Sequence, residues 1–258
     1  MIYVNGDSHS AGADIIPGIC FAEDDPRYLA YGRRAHPEAV VQTWGYHFAQ
    51  AMNQGFFCEA ESASSNDRIL RTTKKVIQDT EKKENLFIVI GWSSWEREEW
   101  KYEEDYLQVT ASGTDSVPES MVEEYKEWVI KQTTEEWKRK EKLWYNRIWD
   151  FHSELKEQNI RHIFFNTQHS FTNDDKDWDI NFINTPYCKY LKDQGFNTVE
   201  NSNHYGADAH RSWAKYVTQL ANNSYYLHDN VQEDNQLTVS KKRTILTKVK
   251  QEFKGLRN

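Results

Sequence analysis

The chain has 258 residues, a formal charge of −8, 28% charged side chains and 14% aromatic ones. That length suits one large domain, or one domain with an insertion, and allows a substantial core; the abundance of Trp and Tyr argues against a disordered chain. The negative charge argues against nonspecific binding to nucleic acid or an anionic membrane, since phosphates repel such a protein as a whole.

In chain order, the first apolar run, Ile2 to Asn5, predicts a strand, and Gly6-Asp7-Ser8-His9-Ser10 follows it directly. An irregular stretch broken by Pro17, Gly18, Pro26 and Gly32 is expected to form a loop over Ser8. Thr43 is placed to cap a helix with Trp44, Phe48 and Met52 on one face, and Gly55 to end it. Phe56-Phe57-Cys58-Glu59-Ala60 predicts a short second strand. Ser62-Ala63-Ser64-Ser65-Asn66-Asp67 supplies caps for a helix that turns Ile69, Thr73, Val76 and Ile77 inward. Leu86-Phe87-Ile88-Val89-Ile90-Gly91 is continuously apolar, as a parallel strand buried on both faces requires.

Residues 96–115 are acidic and aromatic without a clear period. Pro118 then marks the start of a helix expected to run to Leu155, with a break. Its stripe of Trp137, Trp144, Ile148, Phe151 and Leu155 reads as a packed face; the other reading is an aromatic lid or substrate wall. Arg161 to Asn166 predicts another strand. Residues 208–220 predict a helix with Trp213, Val217 and Leu220 inward. Residues 229–236 read as a polar linker, and 241–256 as a basic amphipathic helix with Ile245, Val249 and Phe253 in line, which would dock on the acidic body or on a sister subunit.

Strands alternating with helices predict an α/β fold, a doubly wound, mostly parallel sheet between helical layers. The expected division is an α/β domain over 1–221, with an insertion at about 96–140, and a C-terminal extension over 222–258. Cys20, Cys58 and Cys188 have neither zinc-site spacing nor the even number of a disulfide framework. They read as thiols in a reducing compartment. With neither a signal peptide nor an apolar run of membrane-spanning length in the sequence, the expected location is cytoplasmic.

The residues able to do chemistry sit at the predicted strand ends. A serine on a tight turn after a strand lies where ligands gather in open α/β sheets, and it becomes a nucleophile when a base accepts its proton. His204, in a polar loop before the last domain helix, is the candidate base. Acyl transfer also needs hydrogen-bond donors aimed at the developing oxyanion. Ala63-Ser64-Ser65-Asn66 and Gly91-Trp92-Ser93-Ser94 are the two loops that could supply them. Asp208 lies at the last helix start, where an acid is favourable for dipole reasons alone. A metal-dependent alternative built on His9, His204, His210 and Asp208 is the weaker reading, for no His-Glu-x-x-His helix exists.

Together these stretches resemble the blocks of the SGNH (GDSL-type) hydrolases, in the right order over about Met1 to Ala221. Gly6-Asp7-Ser8-His9-Ser10 matches the first block, and Ala63-Ser64-Ser65-Asn66-Asp67-Arg68-Ile69 resembles the second with Ala63 in place of glycine. Gly91-Trp92-Ser93 sits where the third reads Gly-x-Asn, and His204-Tyr-Gly-Ala-Asp-Ala-His210 resembles the last with Tyr205 in place of proline. The combination looks like a divergent branch found among phage and bacterial proteins.

The resemblance implies a flavodoxin-like five-stranded α/β/α sandwich and no cofactor. It implies Ser8 as nucleophile, His204 as base, and an oxyanion site drawn from the Ser8 and Ala63 N–H groups with Asn66 or Ser93, beside Trp92. Asn201 occupies the place of the family's aspartate, three residues before the histidine, leaving Asn201, Asp208 or Glu200 as the third member. The implied activity is that of a serine-dependent esterase acting on a small-molecule or carbohydrate ester, an O-acetylated sugar among them, with Trp92, Trp95 and Trp100 as a candidate surface. The alternatives are an acyltransferase, or a binding or structural protein with decayed catalysis. Partners are expected to be the substrate and, through the C-terminal helix, a second copy.

Overall fold

The computed structural model describes residues 1–16, 34–111, 117–172, 175–178 and 180–223. By backbone contacts the chain divides into two units, Met1–Val217 and Thr218–Asn258. The expected loop over the serine, with Cys20, and the expected C-terminal linker and amphipathic helix lie outside the described residues.

The elements run β1 (Ile2–Asn5), α1 (Ser8–Ala11), α2 (Pro37–Val40), α3 (Trp44–Ala51), β2 (Phe56–Cys58), α4 (Asn66–Asp79) and β3 (Phe87–Trp92). There follow β4 (Glu98–Tyr102), β5 (Asp105–Val109), α5 (Val122–Ile130), α6 (Thr134–Glu157), β6 (Arg161–Asn166), β7 (Phe182–Ile183) and α7 (Tyr187–Asp193). A last helix, α8, covers 207–223.

Five strands form one sheet in the order β2-β1-β3-β6-β7, every neighbouring pair parallel. Counting only these strands, the order is 2-1-3-4-5, that of the flavodoxin-like fold, whose winding reverses between the first and third strands. β1 and β3 pair with Tyr3 opposite Ile88 and Val4 opposite Val89. Alternation then sorts the side chains into two faces. On one, Tyr3, Ile88, Ile90, Trp92 and Phe164 meet Ile69 and Ile77 of α4 and Trp144, Ile148, Phe151 and Leu155 of α6. On the other, Phe48 of α3 packs on Phe87 and Trp44 on Phe165, while Trp213 of α8 lies 5.0 Å from the Phe165 ring. The result is a three-layer α/β/α sandwich, as the sequence predicts.

Local chemistry explains the boundaries. Thr43, Ser65 and Thr133 each accept an N–H at the start of α3, α4 and α6 through the side-chain oxygen. The long helix predicted from Pro118 is two helices, because the turn at Lys131 and Gln132 ends α5 before Thr133 caps α6. Within the acidic, aromatic stretch, β4 and β5 form an antiparallel hairpin, closed over Val109, Tyr125 and Trp128. The buried ammonium of Lys140 joins this insertion to α6, bonding Glu98 Oε1 at 2.7 Å and Gln132 Oε1 at 2.9 Å. Among the described residues, no helix is long and apolar enough to cross a membrane.

Candidate active site

The site lies beyond the carboxyl ends of β1 and β3, the strands that flank the reversal of winding. Gly6 closes the turn after β1 at φ +156, and a Cβ there would sit 2.4 Å from Ser10 Oγ and 2.9 Å from the Gly91 carbonyl oxygen; glycine is required for both reasons. Asp7 caps α1, its Oδ1 accepting the His9 N–H at 3.1 Å, so Ser8 starts a helical turn. Amide protons in such a first turn have no partner within the helix, so the Ser8 N–H is free of intrahelical bonding.

His204 meets Ser8 across this edge, with Nε2 2.7 Å from Ser8 Oγ. Its other ring nitrogen, Nδ1, lies 2.8 Å from Asp14 Oδ2. A carboxylate only accepts, so Nδ1 carries the proton and Nε2 is left to accept from the serine hydroxyl. Ser202 completes the frame: its hydroxyl donates to Asp14 Oδ2 at 2.6 Å and accepts the His204 N–H at 3.0 Å. Ser8 is buried, 8% exposed.

Asp14 reaches the ring through a reversal after α1. Gly12 ends that helix in the left-handed region at φ +78, and Asp14 is itself left-handed at φ +58. Asp residues tolerate this conformation better than most. The His204 loop is tied by Val199 N–H to the His204 carbonyl at 2.8 Å and by pairing of Thr198 with Tyr205.

Three of the residues expected to orient the imidazole do not do so. Asn201 is the left-handed corner of that loop, at φ +58, and its side chain is exposed. Asp208 is exposed in the first turn of α8 and pairs with Arg211. Glu200 is likewise exposed. The physical reason is local: Asn201 and Glu200 are exposed on a loop whose corner is the left-handed Asn201, Asp208 belongs to the first turn of α8, and Nδ1 is left to Asp14.

The expected oxyanion residues have mixed fates. Ala63 lies at φ +62, a left-handed conformation that favours glycine, and Glu61 N–H bonds the Gly6 carbonyl at 3.2 Å, holding this turn beside β1. Asn66 is fully buried and spent on structure: Oδ1 accepts the Ser93 N–H at 2.8 Å, and Nδ2 donates to the Ser93 carbonyl at 3.0 Å. The Ser93 hydroxyl donates to Asp7 Oδ2 at 3.2 Å and accepts from Arg97 Nη1 at 3.0 Å. Trp92, expected on a substrate surface, is buried instead. It alternates onto the same face as Ile88 and Ile90, edge-on to Phe151 and Phe164. Trp95 is equally buried, stacked on Phe171 at 5.3 Å, and Trp100 packs on Trp128.

The remaining histidines of the metal reading are dispersed into other tasks. His210 Nδ1 accepts the Trp44 N–H at 3.1 Å, and burial pushes its pKa down to about 3. His9 lies with its ring 4.9 Å from that of His204, and burial pushes it down to about 4. No group of three or more His, Cys, Asp or Glu residues among the described residues is placed to hold a metal ion. Cys58 and Cys188 are free thiols, pushed up to about 12 by burial.

Sequence reasoning missed Asp14, Ser202 and Arg97. Asp14 carries a weak signal, an acid one short turn beyond Ser8, but no spacing rule singles it out from neighbouring acids. Comparison with known proteins finds no matching family model, curated protein or solved structure.

Proposed function

We propose that this chain is a serine-dependent acyl hydrolase of the SGNH type, acting on a small ester. The observation that carries the reading is the continuous chain of contacts from Ser8 Oγ to His204 Nε2 at 2.7 Å and from His204 Nδ1 to Asp14 at 2.8 Å. The order of the four sequence blocks and the flavodoxin-like sheet support it.

In the proposed reaction Ser8 Oγ bonds to the ester carbonyl carbon while its proton passes to His204 Nε2. The carbonyl π pair moves onto oxygen, giving a tetrahedral oxyanion. Its collapse reforms the carbonyl, breaks the bond to the alcohol oxygen, and returns the proton from His204 to the leaving alcohol. Water, deprotonated by the same nitrogen, then releases the acid and restores Ser8. Asp14 holds the imidazole in the required tautomer and stabilises the imidazolium between proton transfers. The Asp14 carboxylate beside Nδ1, where Asn201 offers only an amide, favours this reading over decayed catalysis. The carbohydrate acceptor loses the aromatic argument, because Trp92 and Trp95 belong to the core.

The test is hydrolysis of p-nitrophenyl acetate by the purified chain. Ser8→Ala and His204→Ala are each expected to reduce turnover by about 10³-fold or more. Equal turnover in Ser8→Ala would contradict the reading.

A further inference from the structure

Acyl transfer at Ser8 places negative charge on the carbonyl oxygen, and the polar groups at the end of β3 are already committed. The single Ser93 hydroxyl proton faces Asp7 Oδ2 at 3.2 Å. The Asn66 amide is bonded at both ends to the Ser93 backbone. What remains is Arg97, whose guanidinium carries five donors. Nη1 bonds Ser93 Oγ at 3.0 Å, its contact with Asp7 Oδ2 is a loose 3.7 Å, and Nε is buried with no hydrogen-bond partner. A buried donor without an acceptor is costly, and here it lies on a cation 3.7 Å from the carboxylate of Asp7, the residue before Ser8.

Charge gives a second, independent reason. The Asp7 carboxylate is fully buried and immediately precedes Ser8. An oxyanion forming beside it meets like charge in a site of low dielectric, where such repulsion is strong. A cation 3.0 Å from Ser93 Oγ and 3.7 Å from Asp7 Oδ2 would answer both demands.

We propose that Arg97 is a catalytic residue that donates to the substrate oxyanion, in the place where the resembled block has its asparagine and where Ser93 and Asn66 had been expected. The inference rests on the acyl-hydrolase reading. Arg97 gains no proton and loses none; its N–H groups bond the oxygen that receives the carbonyl electron pair, and they release it when the carbonyl reforms.

The experiment compares wild type, Arg97→Gln, Arg97→Lys and the double variant Asp7→Asn/Arg97→Gln in steady-state hydrolysis of p-nitrophenyl acetate, with folding checked by circular dichroism melts. Arg97→Gln is expected to lower kcat by about 10²–10³-fold while KM stays within about threefold, and Arg97→Lys to recover part of the loss. The double variant removes both buried charges, so it keeps the question open to measurement even if Arg97→Gln does not fold; it too is expected to turn over slowly. Wild-type kcat in either glutamine variant would overturn the proposal and leave Arg97 as the counter-ion of Asp7. Failure of the underlying reading has another signature: wild type itself shows no Ser8-dependent turnover, and the proposal falls with it.

Discussion

Asp14 decides whether the serine–histidine pair has a third member, and its position was not legible from the sequence. The spacing of the resembled family points to Asn201, yet the imidazole is gripped from the side of Ser8, by an acid six residues after it in a left-handed turn. Only the path of the chain after Gly12 reveals this. Asp14→Asn keeps the shape but lets the histidine settle in the wrong tautomer, so turnover of p-nitrophenyl acetate should fall by about 10⁴-fold. Asn201→Asp should change it little, since that side chain is exposed; a large gain in Asn201→Asp would reverse the assignment. Ala63 is a second residue with a local cost. An L-residue in the left-handed region loses about 1–2 kcal/mol, partly offset in glycine by unfolded-chain entropy. Ala63→Gly should therefore raise the urea midpoint by an amount equivalent to about 1 kcal/mol, and a lower midpoint would show that Ala63 makes packing contacts worth more than the strain.

At the scale of elements, the edge is built by connections between neighbouring loops. Asn66, the first residue of α4, clips that helix to the end of β3 through two hydrogen bonds to Ser93. Asn66→Ala leaves two buried backbone groups unpaired and should cost about 1–3 kcal/mol for each, measured as a fall in the urea midpoint; an unchanged midpoint would mean that water replaces the amide. The insertion adds a further tie, because Gln108 of β5 accepts the Ser65 N–H at 2.8 Å and Glu99 of β4 pairs with Arg71 of α4. The caps, the strands β1 and β3 and the packed stripe of α6 were readable, since Thr43, Ser65 and the apolar runs carry strong local signals. The β4–β5 hairpin was not, because Glu98 to Val109 mixes charge and aromatics without the clean alternation of a half-buried strand. Trp92 misled for a related reason: tryptophan near a strand end suggests a ligand surface, but strand alternation sends it inward.

For the whole molecule, the sheet order and the meeting of Ser8 with His204 follow from the same feature. Apolar runs separated by helices dictate a parallel sheet, and a parallel sheet gathers the ends of its strands at one edge. β7 is too short, at two residues, to announce itself. Among the described residues, the buried His9 and His162 are pushed down to about 4 and His210 to about 3, each chiefly by burial. In the unfolded chain they take up protons near pH 6.5. Between that pH and the folded values the unfolded state binds more protons, so stability falls as pH is lowered from about 6.5 toward 4. The urea midpoint should drop between pH 7 and pH 5 by an amount worth a few kcal/mol, roughly; equal midpoints would show that the histidines are hydrated. The most direct measurement of the central claim is peptide mapping after brief exposure to a fluorophosphonate. The expected result is one adduct, on Ser8, formed far more slowly in His204→Ala and Asp14→Asn; an unmodified Ser8, or labelling indifferent to both substitutions, would contradict it.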